Sequence, residues 1–283
     1  MRSHLELVYL ILEQLEWGFL ADIHPLLHWF VAVLGAIVAG GIWGSIPGLL
    51  KAYRNVNEVV ASIMLNYVAM YLNAMLIVNN IYNQAYARAN DIQASAATPT
   101  FNLDILFIKS SINGGIVVAL LVVFIIHIVL NKTTFGFELK AVGLNRNASK
   151  YSGMNEKRNI VLSMVISGAI SGLAGAMMFL VNGKHLKPDA ILLPEGFTGI
   201  AISLLGLSSP IGVLLAGVFY GSLQQGGYYM QLQDFKPEII DIIIAVIIYA
   251  SALGLFLQSF VIKALKSREM KVELAKNQEG GAK

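Results

Sequence analysis

The chain of 283 residues contains no cysteine, which excludes disulfides, thiolate chemistry and cysteine-ligated metals. Charge is scarce too: Asp, Glu, Lys and Arg make up 13% of the residues, against 56% hydrophobic. No GxxxxGK[ST] run occurs, so the chain has no P-loop with which to bind ATP. The histidines, His4, His24, His28, His127 and His185, form no HExxH pairing, and no two carboxylates have a spacing suited to acid–base catalysis. No catalytic residue and no metal site can be named, which makes a membrane-embedded enzyme a remote reading. The opening MRSHLELVYLILEQLEWG also lacks a small-residue cleavage site after its short apolar run, so it does not read as a cleavable signal.

What is present is apolar sequence in blocks of about twenty residues, the length that crosses a hydrocarbon core roughly 30 Å thick. Mean hydropathy is +0.66. The expected fold class is all-α, a polytopic membrane protein; the alternating ten-residue segments of a β-barrel are absent. Clear spans are expected at about residues 26–50, 59–78, 112–130, 160–182 and 239–262, with a further apolar stretch at 197–223. Residues 1–25 form an atypical N-terminal segment, because Glu6, Glu13 and Glu16 would each be costly in mid-bilayer.

The polar break at residues 131–159, NKTTFGFELKAVGLNRNASKYSGMNEKRN, sets the orientation. It carries Lys132, Lys140, Arg146, Lys150, Lys157 and Arg158 against Glu138 and Glu156, and short loops rich in Lys and Arg lie on the cytoplasmic side. The net charge of +3 is thus a topology signal and not a nucleic-acid surface. The basic tail, residues 266–283, is expected in the cytoplasm by the same rule. Within the break, Asn145 can cap a short helix from Arg146 through Tyr151 that Gly153 ends, a docking element presented at the membrane surface. The alternative is a solvated loop that only satisfies topology.

Two small-residue rows predict close helix packing. Gly40, Gly44 and Gly48 recur every four residues in the first span; Ser163, Ser167, Ser171 and Gly175 do so in the fourth, beside Gly168, Gly172 and Ala176. The serine row could instead line a path. At 197–223, Ser208-Ser209-Pro210 interrupts the apolar run, and a single crossing there would put the basic tail outside. A hairpin of two short helices, 196–207 and 211–223, resolves both. The spans hold Asn66, Asn73 and scattered serines but hardly a charge, whereas ion-driven carriers need ionisable or coordinating groups there. Energy for uphill transport would have to come from a partner.

Three runs, GGIWGSIPGLLKAYRNVNEVVASIMLNYVAMYL (40–72), TTFGFELKAVGLNRNASKYSGMNEKRNIVLSMVISGAISGLAGA (133–176) and GFTGIAISLLGLSSPIGVLLAGVFYGSL (196–223), resemble permeases of bacterial ABC importers. The group is the branched-chain amino acid/ribose type, and within it the nucleoside and simple-sugar permeases. The resemblance covers about residues 26–265, the expected transmembrane permease domain. It implies a type II importer-like helical bundle in the bacterial cytoplasmic membrane, multi-pass and surrounded by lipid. The implied partners are an ABC ATPase subunit, a second permease subunit that is a copy or a paralogue, and an extracytoplasmic substrate-binding lipoprotein. The chain itself would hold no cofactor, ATP and Mg being bound by the ATPase. The resemblance places the coupling helix at 143–153, with Gly143, Asn145, Arg146, Ala148, Tyr151 and Gly153 as its residues. Substrate-pathway candidates are Asn66, Tyr67, Phe197, Thr198 and Ser203, an aromatic, amide and hydroxyl set suited to a nucleoside or sugar, though the same groups serve helix packing. Family permeases usually carry further N-terminal helices with a NIGAEGQ-type run that this sequence lacks. An N-terminally truncated, inactive permease is therefore an alternative expectation, as is an ion-coupled secondary carrier.

Overall fold

The first long helix forms because PLLHWFVAVLGAIVAGGIWGSIPGLLKAYR offers a continuous apolar run that ends in Lys51 and Arg54, cations that suit a helix C-terminus. This is α1, Pro25–Arg54. The computed structural model describes residues 25–90, 92–100, 113–181, 183–188, 191 and 195–231, together with 236, 239, 242–247, 249, 250, 253 and 254. The expected N-terminal segment up to residue 24, the tail 266–283 and most of the last expected span lie outside the described residues.

The chain divides into two compact units, Met1–Leu193 and Pro194–Lys283. In the first, α1 is followed by α2 (Glu58–Asn80), a two-strand hairpin of β1 (Tyr82–Asn83) and β2 (Arg88–Ala89), a 3-10 turn (Ala94–Ala96), α3 (Gly115–Lys132), α4 (Thr134–Leu144), α5 (Arg146–Tyr151) and α6 (Glu156–Phe179). Among the described residues, α1, α2, α3 and α6 are long and apolar enough to cross a membrane. The hairpin pairs antiparallel, Tyr82 with Ala89 and Asn83 with Arg88.

The centre of this unit is an antiparallel pair, α1 against α6. A Cβ placed on Gly44 would lie 2.6 Å from the Met164 carbonyl oxygen and 3.0 Å from the Gly168 Cα. One on Gly48 would lie 3.0 Å from the Met164 Cβ, and one on Gly40 would strike the Gly168 carbonyl and the Gly172 backbone. Backbone thus meets backbone along three turns, the approach that only small residues allow in a membrane. A cluster of Ala32, Val33, Ala36, Ala176 and Leu180 extends the seam.

The two ends of the unit differ. At one, residues 81–90 and 92–98 are tied to the stretch after α6: Ala89 N–H donates to the Leu186 carbonyl at 2.8 Å and Thr98 N–H to the Leu180 carbonyl at 2.7 Å. His28 Nδ1 and Ser95 Oγ bond at 2.9 Å, and Trp29 Nε1 donates to Thr98 Oγ1 at 3.3 Å. This loop is a folded strap. The opposite end holds the α1–α2 turn, α4, α5 and the start of α6.

In the second unit, α7 (Glu195–Leu205) and α8 (Pro210–Gln231) form a helical hairpin. Ser209 Oγ accepts from Gly212 N–H at 3.2 Å and Pro210 is the first helical residue, so the proline starts a helix where its missing N–H costs nothing. The tight turn places Leu207 and Ser208 at φ 54° and 51°. The expectation of two short arms needs correction in the second: α8 has 22 residues against 11 in α7. The Gly226-Gly227 pair near its end does not stop it, because helical geometry continues to Gln231.

Candidate coupling site

The connector between α3 and α6 folds through a chain of side-chain caps. Thr133 closes one helix and opens the next: its Oγ1 donates to the Val129 carbonyl at 2.6 Å and accepts from Gly136 N–H at 3.1 Å. Asn145 does the same between α4 and α5, its Oδ1 accepting from Ala148 N–H at 3.0 Å. The short helix expected over Arg146–Tyr151 is present with that cap. It stops in a Schellman arrangement, Met154 N–H donating to the Ser149 carbonyl and Gly153 N–H to the Lys150 carbonyl, both at 3.1 Å. Gly153 takes φ 81°, a left-handed conformation that a side chain would strain. Asn155 then caps α6 through Arg158 N–H at 3.1 Å.

These caps leave α5 with two faces. Inward, Ser149 is buried and its hydroxyl donates to the Asn145 carbonyl at 2.9 Å. Arg146 also turns inward: Nε donates to Glu156 Oε2 at 2.8 Å, Nη2 to Glu156 Oε1 at 3.5 Å, and Nη1 to Asn55 Oδ1 at 3.4 Å. Outward, Tyr151 is 93% exposed and Ala148 and Gly153 are exposed with it, while Gly143 and Leu144, the latter 88% exposed, stand free at the end of α4. Water gains nothing from such side chains, so each stands as an exposed apolar group on a polar connector. Lys51 and Glu58 bond at 2.7 Å across the α1–α2 turn, and the Lys157 ammonium stands 5.1 Å over the Tyr53 ring.

The other residues singled out from sequence are spread more widely. Gly40, Gly44 and Gly48 lie in the α1–α6 seam, and Ser171 and Gly175 are buried. Ser167 is exposed, because the face of α6 that meets α1 is the Met164, Gly168, Gly172 row beside it. Asn66 is half-buried and Tyr67 exposed on α2. On α7, Phe197 is exposed, Ser203 half-buried, and Thr198 Oγ1 donates to the Glu195 carbonyl at 3.0 Å within its own helix. The small pocket of this unit is apolar, lined by Ala201, Ile202 and Leu205 of α7, Phe219, Tyr220 and Leu223 of α8, and Ile244 and Ile247. None of the three α7 candidates lines it.

Reading from sequence missed α4 entirely, and with it a second tie: Asn159, buried, donates from Nδ2 to Glu138 Oε2 at 2.9 Å. The available signal was Thr133 ahead of the helix-forming FELKAVGL. Asn73 of α2, one of the polar residues noted in the spans, is 2% exposed, and its Oδ1 has no hydrogen-bond partner among the described residues. No group of three metal-ligating side chains occurs among the described residues.

Residues 6–252 match the family described as "Branched-chain amino acid transport system / permease component". The chain belongs to this permease family. It is 40% identical over 243 residues to the guanosine ABC transporter permease protein NupP of Bacillus subtilis, spanning 86% of this chain and 69% of that one. The nucleoside ABC transporter permease protein NupB of Lactococcus lactis subsp. cremoris is 35% identical over 255 residues, 88% of this chain and 70% of its own. The glucose ABC transporter permease protein TsgB13 of Haloferax volcanii is 31% identical over 226 residues, 76% and 58% of the two chains. No solved structure is significantly similar. The protein is thus a multi-pass ABC transporter permease and a transport subunit, not an enzyme.

Proposed function

We propose that this permease carries nucleosides into the cell as the membrane-spanning subunit of an ATP-driven importer, with α5 as the element its ATPase grips. The observation that carries the coupling role is the full exposure of Tyr151 on a helix capped at both ends, with Leu144 exposed at the end of the helix before it. A few side chains seated in pockets dominate contacts of this kind. The nucleoside assignment rests on the 40% and 35% identity to permeases for guanosine and nucleosides, above the 31% to one for glucose.

In this reading the connector end faces the cytoplasm, where Lys51, Arg54, Lys132, Lys140, Arg146, Lys150, Lys157 and Arg158 outnumber Glu58, Glu138 and Glu156. The basic tail lies on the same side. The strap faces outward, toward a substrate-binding lipoprotein. ATP and Mg belong to the ATPase, whose closure moves α5. The long apolar α3, with no buried residue, meets lipid or a second permease subunit. Asn66, Tyr67, Phe197, Thr198 and Ser203 remain the proposed pathway contacts.

The test is co-expression with a cognate ATPase, second permease and binding protein, followed by purification and ATPase assay against a panel of nucleosides and sugars. A stable complex whose hydrolysis rises with a nucleoside supports the reading. A complex stimulated only by a sugar moves the substrate. Uptake that needs an ion gradient and no ATPase replaces the reading with a secondary carrier.

A further inference from the structure

Arg146 is the first residue of α5, yet its guanidinium avoids the exposed face that a partner would meet. It reaches instead to Glu156, the first residue of α6, and to Asn55, the residue after the end of α1. One side chain therefore joins the short helix to both members of the glycine-packed pair. The Glu156 side chain is only 14% exposed, and two of its bonds to Arg146 form a fork that fixes direction as well as distance. Asn55 is held in place to receive the third bond: it takes φ 53°, and its N–H donates to the Lys51 carbonyl at 3.2 Å.

Along the backbone, α5 is joined to α6 by Ser152, Gly153, Met154 and Asn155 alone. That turn runs through a left-handed glycine, the residue with the freest backbone, and the Arg146 clamp is a second tie that does not depend on it. Beyond the clamp the conditions reverse. Backbone contacts near Gly40, Gly44, Gly168 and Gly172 leave no slack, and interfaces packed this closely shift as units instead of deforming.

We propose that the Arg146–Glu156–Asn55 clamp is the link that passes movement of α5 to the α1–α6 pair, making Arg146 and Glu156 positioning residues for transport and not contacts to the ATPase. The inference rests on the coupling reading of α5. It adds that docking and transmission are separable: Tyr151 and Leu144 hold the partner, while Arg146 and Glu156 move the membrane helices.

The test uses the complete importer in proteoliposomes, measuring ATPase retention, ATP hydrolysis and nucleoside uptake for R146A, E156Q, R146E, E156R and the double variant R146E/E156R. The single variants are expected to retain the ATPase and to hydrolyse ATP, while uptake per ATP falls about tenfold, within the usual span of a coupling energy. The double variant, which restores the pair with signs exchanged, is expected to recover most of that ratio. Loss of ATPase binding in R146A would make Arg146 a docking residue, and an unchanged uptake-to-ATP ratio would make the clamp merely local; either overturns the proposal. Should a single variant fail to accumulate, the double variant decides: recovered coupling supports the link, and accumulation without coupling contradicts it. Y151D, run in parallel, separates the two levels, because retention of the ATPase by Y151D removes the docking reading whatever Arg146 does.

Discussion

Helices α1 and α3 are both apolar enough to cross a membrane, but they are built for opposite surroundings. In α1, glycine and alanine face α6, and its buried residues include Ala32, Ala36, Gly40, Gly41 and Gly48. In α3, GIVVALLVVFIIHIVLNK, large aliphatic side chains run all round the helix and none is buried. Lipid tails are as apolar as leucine, so hydrophobicity gives helices no reason to meet in a bilayer. Contact is decided by how closely two backbones can come. The greasier helix is therefore the less packed one, the reverse of the rule for a soluble core.

The largest expected effect strikes that seam. G44I puts a branched side chain where even a Cβ meets the Met164 carbonyl at 2.6 Å, and overpacking of this kind costs about 1–3 kcal/mol or more. In detergent extracts, size-exclusion chromatography of the variant should show no monodisperse permease. A normal profile would mean that α1 and α6 are not held by close approach.

Next in size is Y151D, on a residue so exposed that nothing inside the chain depends on it. The variant should insert and fold like the parent while retention of the ATPase falls by about 2 kcal/mol, roughly 30-fold, the loss typical of a dominant interface side chain. Unchanged co-purification would show that Tyr151 of α5 does not dock the ATPase.

N73L acts in the opposite direction. The Asn73 oxygen is buried without a hydrogen bond among the described residues, and an unmet acceptor costs about 1–3 kcal/mol. Replacement by an apolar group of similar shape should raise the thermal midpoint of the purified permease. A fall would mean that a water or ligand satisfies this oxygen.

The smallest effect sharpens the contrast with α1. Phe124 of α3 is exposed within the chain, so F124A should change stability by less than about 0.5 kcal/mol, well below the 3–5 kcal/mol of a buried phenylalanine. A core-sized loss in the thermal midpoint of the isolated chain would place α3 in a packed interior.

What could be read in advance followed from local rules. The glycine row 40, 44, 48 announces close approach in any membrane helix, and Asn145 with Gly153 brackets a helix by capping chemistry alone. The rest depended on neighbours. Ser167 shares the spacing of Ser171 and Gly175, but which side of α6 meets α1 is set by the row beside it, so Ser167 is exposed. Two-residue strands carry no readable period, which hid the folded strap at 82–89. Pro210 signalled a break, and the break is the start of a helix that outruns the expected residue 223. The clamp joins residues 55, 146 and 156, whose meeting depends on the antiparallel pairing of α1 and α6.

The most direct measurement is nucleoside uptake by proteoliposomes holding the assembled importer, with and without ATP on the connector side and with ion gradients abolished. Guanosine accumulation that requires ATP, persists without gradients and disappears in Y151D is the predicted result. Accumulation that follows an ion gradient and ignores both ATP and Tyr151 would contradict an ATP-driven, α5-coupled permease.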